Sequence, residues 1–215
     1  MPPLACITCG PAFEPLDGVR RITNFSTGEI GSMLAETFLK SGFDVVCFRG
    51  EAASFPAPAG VDVRTFTTNK SLADGLRSLE RAPDVILHAA ALCDFVLEKI
   101  DGSDGLSKFS SRSGSICLTL KPAKKVLPEM RGWFPEARII GWKYELDGSR
   151  EQAVSRGAAQ IQETRTDACV INGSAYGTGF GLLLPEGSLA HFPDRSSLAF
   201  HLAGWMADQP KRPVI

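Results

Sequence analysis

Residues Asn24 to Gly31 read N-F-S-T-G-E-I-G, and they stand where a long loop hands over to an amphipathic helix. Upstream, Leu4 to Thr8 is a short apolar run of the kind that forms a buried strand. Downstream, Ile30, Leu34 and Phe38 recur at helical spacing until Ser41-Gly42 closes the stripe. A strand, a loop and a helix in that order begin a parallel α/β sheet. At the end of the loop, Gly28 and Gly31 let backbone approach a ligand closely, and Ser26 and Thr27 bring hydroxyl donors. Asn24 adds an amide that donates and accepts at once. The first N–H groups of a helix lack partners within it, and its dipole favours an anion at that end. Phosphate suits such a place, but an ordinary capped helix start uses the same residues, so the stretch alone leaves both meanings open.

The alternation continues outward from this point. Asp44 to Arg49 and Val61 to Phe66 predict two more strands. Asn69 is expected to cap a helix carrying Leu72, Leu76 and Leu79, and Asp84 to His88 predicts a fourth strand. Residues 96–115 then turn rich in serine and glycine, the composition of a binding flap. Strands follow at Ile116 to Leu120, Arg138 to Trp142 and Asp167 to Asn172. A short helix is expected after Pro122, and Ser149 with Gln152 makes a capping box for a helix running to about Thr164. Gly181 to Phe192 predicts a hairpin at a sheet edge, turning at Pro185-Glu186-Gly187, and Asp194 caps a last helix with Leu198, Leu202 and Trp205. The expected fold is a single Rossmann-like α/β domain over 1–215: a three-layer sandwich with a mostly parallel central sheet, a flap at about 96–115 and a C-terminal hairpin plus helix at about 181–209. Ligands of such sheets bind beyond the carboxyl ends of the strands.

Composition narrows the partners. With 215 residues, 44% of them hydrophobic and 22% charged, one large core is affordable, and a net charge of −1 gives no electrostatic footprint for nucleic acid or an acidic membrane. No apolar run reaches the ~20 residues of a membrane span, and Met1-Pro2-Pro3-Leu4 does not open like a signal peptide. A cytoplasmic protein is expected. The six cysteines lie mostly in apolar, strand-like surroundings. Cys6-Ile7-Thr8-Cys9 is formally C-x-x-C, but residues three apart on a strand face opposite ways, which argues against a redox or zinc pair.

A nicotinamide enzyme is the first chemistry to weigh. The dinucleotide fingerprint requires a second glycine in the first turn, and here that turn is Cys9-Gly10-Pro11-Ala12. His88-Ala89-Ala90-Ala91 is like the N-A-A-G stretch of short-chain reductases, and Arg49 stands where a 2′-phosphate would be met. The tyrosine four residues before a lysine that those enzymes use is absent, so hydride transfer is the weaker alternative.

Five ordered segments carry a stronger likeness: Ile7 to Gly31; His88-Ala89-Ala90-Ala91-Leu92-Cys93-Asp94-Phe95; Ser107-Lys108-Phe109; Ile140-Gly141-Trp142-Lys143-Tyr144-Glu145; and Asp167 to Asn172. In this order they resemble the phosphopantothenoylcysteine synthetase family, the ligases of coenzyme A biosynthesis, over nearly all of the chain. The resemblance implies that a nucleoside triphosphate activates the carboxylate of 4′-phosphopantothenate as an acyl-nucleotidylate, from which the amine of cysteine displaces the nucleotide. It implies Asn24 and Lys108 as catalytic residues, Asn24 holding the acyl-nucleotidylate and Lys108 closing over it from the flap. Arg20 falls to the pantothenate portion, although an arginine there also suits a surface ion pair. Gly10, Ser26, Thr27, Gly28, Gly31, Ala89, Ala90, Ala91, Asp94, Trp142, Lys143 and Asn172 fall to the nucleotide. Mg²⁺ with ATP or CTP is the implied co-substrate, a homodimer the implied assembly, and no FMN is expected. His88, with nothing acidic beside it in sequence, is expected to be a buried strand residue. The chain departs from many bacterial members at Ala123-Lys124-Lys125, which replaces N-P-D, and at Gln160 and Thr164, where they carry lysines. Gly10-Pro11-Ala12-Phe13 departs as well. The choice between ATP and CTP, and the alternatives of a divergent paralogue or a non-catalytic nucleotide-binding protein, stay open at this point.

Overall fold

A computed structural model describes residues 1–100, 108 and 114–208. Their elements are, in chain order, β1 (Leu4–Cys9), β2 (Phe13–Pro15), β3 (Arg21–Thr23), α1 (Glu29–Lys40), β4 (Asp44–Gly50), β5 (Asp62–Phe66), α2 (Asn69–Arg77), β6 (Val85–His88), β7 (Phe95–Ile100), β8 (Leu118–Pro122), α3 (Leu127–Trp133), β9 (Arg138–Tyr144), α4 (Arg150–Thr164), β10 (Ala168–Asn172), β11 (Phe180–Leu183), β12 (Leu189–Phe192) and α5 (Arg195–Asp208).

Eight strands form one sheet in the order β12-β11-β10-β9-β6-β1-β4-β5. From β5 to β10 the pairs are parallel, while β11 and β12 add an antiparallel edge, as the hairpin at 181–192 predicted. The chain runs from β1 out to β5, then crosses back to β6 on β1's other side, so the topological switch point lies between β1 and β6. The central strands read as unbroken apolar runs because both faces are covered. On one face, Leu34 and Phe38 of α1 and Leu198, Leu202 and Met206 of α5 pack on Ile7, Leu87, Ile140 and Val170. On the other, Leu72 and Leu76 of α2 and Met130 of α3 meet Cys6, Ile86 and Ile139, and Ile161 of α4 meets Cys169 and Ile171. Cys6 and Cys9 therefore belong to opposite layers, as the strand spacing required.

Three expectations need correction. Part of the predicted flap is a strand: β7 pairs with β8 as an antiparallel ribbon outside the main sheet, because Phe95, Val96, Leu97 and Ile100 form a β-prone run before the serine-rich residues begin. The expected strand at Ile116 to Leu120 is accordingly shifted to Leu118–Pro122 and joins that ribbon. The N-cap of α2 is Thr68, in a reciprocal capping box with Ser71. Asn69 is instead buried, giving Nδ2 to the carbonyl of Cys93 at 2.8 Å and taking the Cys93 N–H at 3.0 Å. The hairpin of β2 and β3 lacked a prediction altogether. Ser107 and Phe109 lie outside the described residues. Among the described residues no helix is long and apolar enough to cross a membrane.

Candidate active site

The switch point opens above the carboxyl ends of β1 and β6. There the ladder continues past the strands: the Ala91 N–H meets the Gly10 carbonyl at 3.0 Å, and the Ala12 N–H meets the Ala91 carbonyl at 2.9 Å. The Ala89 N–H reaches the Thr8 carbonyl at 3.1 Å. The amides of Ala89 to Ala91 thus hold the floor together, the Ala90 N–H reaching Thr8 Oγ1 at 3.3 Å. Thr8 Oγ1 bonds His88 Nδ1 at 2.8 Å, and full burial pushes the His88 pKa down to about 4. His88 is a neutral strut, as expected from its sequence context.

The N-terminus of α1 faces the same crevice. Its N-cap is Gly28, in the left-handed region at φ 83°, and no side chain caps it. Thr27 Oγ1 accepts from the Glu29 N–H at 3.3 Å, and Ser26 is half-buried. The glycines also pack against protein. A Cβ on Gly31 would stand 2.2 Å from Cys9 Cβ, and one on Gly28 would stand 3.1 Å from Ala53 Cβ and 3.4 Å from Gly10. They bring α1 and the loop after β4 against β1, which sets where the helix start lies.

Asn24 joins the two sides of the crevice by giving Nδ2 to the Leu92 carbonyl at 2.8 Å. Asp94, two residues on, is exposed and ion-paired with Lys125, and its carbonyl accepts from the Ala123 N–H at 2.8 Å. Farther along the edge, Trp142 and Asn172 lie at the ends of adjacent strands on the α1–α5 face, where register pairs Trp142 with Val170 and Asn172 with Tyr144. Trp142 Nε1 and Asn172 Oδ1 are buried and have no hydrogen-bond partner, a donor and an acceptor both unused. Lys143 lies 3.3 Å from Glu145, which also pairs with Arg156.

Two predicted site residues are not drawn into this cluster. Arg20 sits on the β2–β3 turn with Nη1 2.5 Å from Asp17, the surface ion pair that sequence allowed. Lys108 is exposed. Arg49 holds no open anion site: its Nη2 donates to the carbonyls of Ala53 and Phe55, each at 2.6 Å. Sequence reasoning missed Lys125 and Glu145 as partners here. The signal for Lys125 was its place in the departing 123–125 segment. Beside the crevice a cavity of about 440 Å³ opens between the starts of α2 and α3, lined by Glu14, Asn69, Lys70, Val96 and Lys125 among others.

Residues 4–190 match the family model of the DNA/pantothenate metabolism flavoprotein C-terminal domain. The chain is 30% identical over 163 residues to the coenzyme A biosynthesis bifunctional protein CoaBC of Methanocaldococcus jannaschii, covering 76% of this chain and 38% of the relative. Against the CoaBC of Bacillus subtilis it is 31% identical over 179 residues, covering 81% and 41%. The chain thus spans about two-fifths of the length of these relatives. The DNA/pantothenate metabolism flavoprotein of Streptococcus pneumoniae shares the fold at a TM-score of 0.83 and 22% identity, over 95% of this chain and 98% of that one. A Cab2 mutant in complex with phosphopantothenate-cysteine does so at 0.71 and 19%, over 97% and 86%.

Proposed function

Because the chain belongs to the DNA/pantothenate metabolism flavoprotein C-terminal domain family, we propose that it is a ligase joining 4′-phosphopantothenate to L-cysteine at the expense of ATP or CTP. The observation that carries this reading is the pair of features facing one another across the switch point. One is a helix start whose N-cap is a glycine without a side chain, and the other is Asn24 fixed to the segment that carries Ala89 to Ala91. The unused Trp142 Nε1 and Asn172 Oδ1 add a buried donor and acceptor of the kind a nucleotide can satisfy.

In the first step a carboxylate oxygen of 4′-phosphopantothenate bonds to the α-phosphorus and the α–β bridging bond breaks, releasing pyrophosphate. In the second, the cysteine amine bonds to the acyl carbon, loses a proton, and the nucleoside monophosphate leaves. The N–H groups at the start of α1 would offset charge on the triphosphate, and Asn24 would hold the acyl-nucleotidylate. Lys108, a mobile point charge, would approach the phosphates from the flap and shield the intermediate from water. Mg²⁺ would supply charge neutralisation on the triphosphate oxygens, its usual mode of binding. Among the described residues no three His, Cys, Asp or Glu side chains converge on a point, so the nucleotide itself would bring most of the ligands.

A homodimer forms part of the proposal. The ribbon of β7 and β8 exposes Phe95 (52%), Leu118 and Leu120, and the neighbouring hairpin exposes Val19 (64%). A two-stranded ribbon with apolar residues in water is marginal by itself, so a second copy is the expected cover. Sedimentation should show a dimer that Leu118→Lys with Leu120→Lys converts to monomer.

The deciding assay measures pyrophosphate release with 4′-phosphopantothenate, Mg²⁺ and ATP or CTP, with and without cysteine, and identifies the product by mass. A phosphopantothenoylcysteine mass is expected, and folded protein silent with both nucleotides would sink the reading. Lys108→Gln should spare pyrophosphate formation more than product formation, whereas equal loss of nucleotide binding would remove Lys108 from the second step.

A further inference from the structure

We propose that Arg49 is a positioning residue whose guanidinium fixes the loop 50–55 and, through it, the N-terminal turn of α1. The inference rests on the nucleotide-binding reading of that turn for its functional consequence, but not for its geometry. Arg49 is the penultimate residue of β4 and is half-buried, and its Nη2 bridges the carbonyls of Ala53 and Phe55 at 2.6 Å each. Bridging carbonyls four and six residues ahead folds the loop back on its own strand. The Ala53 N–H closes a turn on the Gly50 carbonyl at 3.0 Å, and the Glu51 N–H ties the loop to β5 through the Phe66 carbonyl at 2.9 Å.

The folded loop touches both limbs of the crevice. The Phe55 N–H donates to the Thr27 carbonyl at 3.0 Å, one residue before the N-cap of α1. The Ala53 methyl lies so close that a Cβ on Gly10 would stand 2.7 Å from it and one on Gly28 3.1 Å. Gly50 is pressed against the Pro11 carbonyl, 2.3 Å from where a Cβ would be. One guanidinium therefore organises a wedge that sets the exit of β1 and the entry of α1 at once. Arg49 Nε is buried and unpartnered, so these carbonyls are what its head group is built around.

Two variants separate clasp from bulk. Arg49→Met keeps an apolar stem without donors, and Arg49→Lys keeps a charged donor within reach of the same carbonyls. Hydrogen exchange on the whole protein reads the clasp directly. The amides of Phe55 and Ser32 should exchange at least about tenfold faster in Arg49→Met, the scale of one lost charge-assisted bond, and should recover in Arg49→Lys. Binding of ATP, CTP and inorganic tripolyphosphate is titrated on the same samples. Arg49→Met should weaken nucleotide affinity about tenfold, raising KM with little change in kcat, as expected for lost uniform binding, and Arg49→Lys should restore most of it. Unchanged protection of Phe55 and Ser32 in Arg49→Met overturns the proposal, and weaker nucleotide binding alongside that protection would mean that Arg49 meets the phosphates itself. Wild-type protein that binds none of the three ligands would defeat the functional reading, while the exchange data would still decide the clasp.

Discussion

At the amino edge of the central sheet, strand starts are tied to aspartates that answer to a neighbouring strand. Asp84, before β6, takes the N–H of Leu4 at 2.8 Å, and Arg81 joins it to Asp44 and to the Pro2 carbonyl. Asp167, before β10, takes the N–H of Ile139 at 2.7 Å and the Arg131 Nη2 at 2.6 Å, while Arg131 Nη1 holds the Ala137 carbonyl at 2.6 Å. The carboxyl edge is different in kind. Among the described residues it has an α1 start whose N-cap is a glycine, three buried polar atoms without partners (Arg49 Nε, Trp142 Nε1 and Asn172 Oδ1), and a ribbon whose apolar side chains meet water. The carboxyl edge gathers more unsatisfied polar atoms than the amino edge, and under the proposed function a ligand would complete them there. In the proposed reading the amino edge carries stability and the carboxyl edge carries recognition.

The largest expected effect tests the sealed edge. Asp167→Ala should cost about 3–5 kcal/mol in a urea titration, the usual loss when one partner of a buried ion pair is removed. Arg131 is only 5% exposed, and its guanidinium would lose the carboxylate 2.6 Å from its Nη2. A loss under 1 kcal/mol would break the contrast between the edges.

Next in size is a pH effect at the crevice floor. His88 has a folded pKa near 4 against an ordinary 6.5, so between those values the unfolded chain binds more protons. Stability is then fully present above about pH 6.5 and falls as the pH drops toward 4, by about 3 kcal/mol in all. His88→Asn should flatten that stretch of the stability–pH curve, and an unchanged slope would remove His88 as its source. Gly31→Ala comes third. The new methyl would collide with Cys9 Cβ, and overpacking of this kind costs about 1–3 kcal/mol, offset in part by alanine's better helix propensity. Because α1 must shift to relieve the clash, nucleotide affinity should fall with stability, and full affinity in a destabilised variant would dissociate the helix start from the site.

Sequence disclosed the sealed parts of this molecule better than the open ones. Strands buried on both faces announce themselves as apolar runs, and the stripe Ile30, Leu34, Phe38 named its helix. β2 and β3 were invisible because three residues such as Phe13-Glu14-Pro15 are too few to show alternation and proline argues against a strand. β7 was hidden by the serine- and glycine-rich residues that follow it. In the site, Asn24 and the Ala89–Asp94 segment were legible through ordered motifs. The partners that fix them were not, since Lys125 lies 31 residues from Asp94 and Leu92 lies 68 from Asn24. The glycines show the limit most clearly: sequence reveals that a residue without Cβ is wanted, but not whether ligand or protein fills the space.

The smallest expected change in stability is also the sharpest test of the open edge. Trp142→Phe removes an indole N–H that has no partner while keeping most of the aromatic packing against the α1–α5 layer. Leaving a buried donor unsatisfied costs about 1–3 kcal/mol, so losing it offsets the lost apolar contact, and net stability should change by less than about 1 kcal/mol. Nucleotide affinity should nevertheless fall several-fold if the N–H is kept for a ligand, with little effect on tripolyphosphate, which has no base or sugar to meet it. The two readouts diverge for a physical reason. In the unliganded protein the N–H is a cost, and only an occupant of the crevice turns it into a contact. A variant that loses several kcal/mol of stability and binds nucleotide as the wild type does would make Trp142 a core residue like Ile140 beneath it, and the edge would be less open than its unused polar atoms imply.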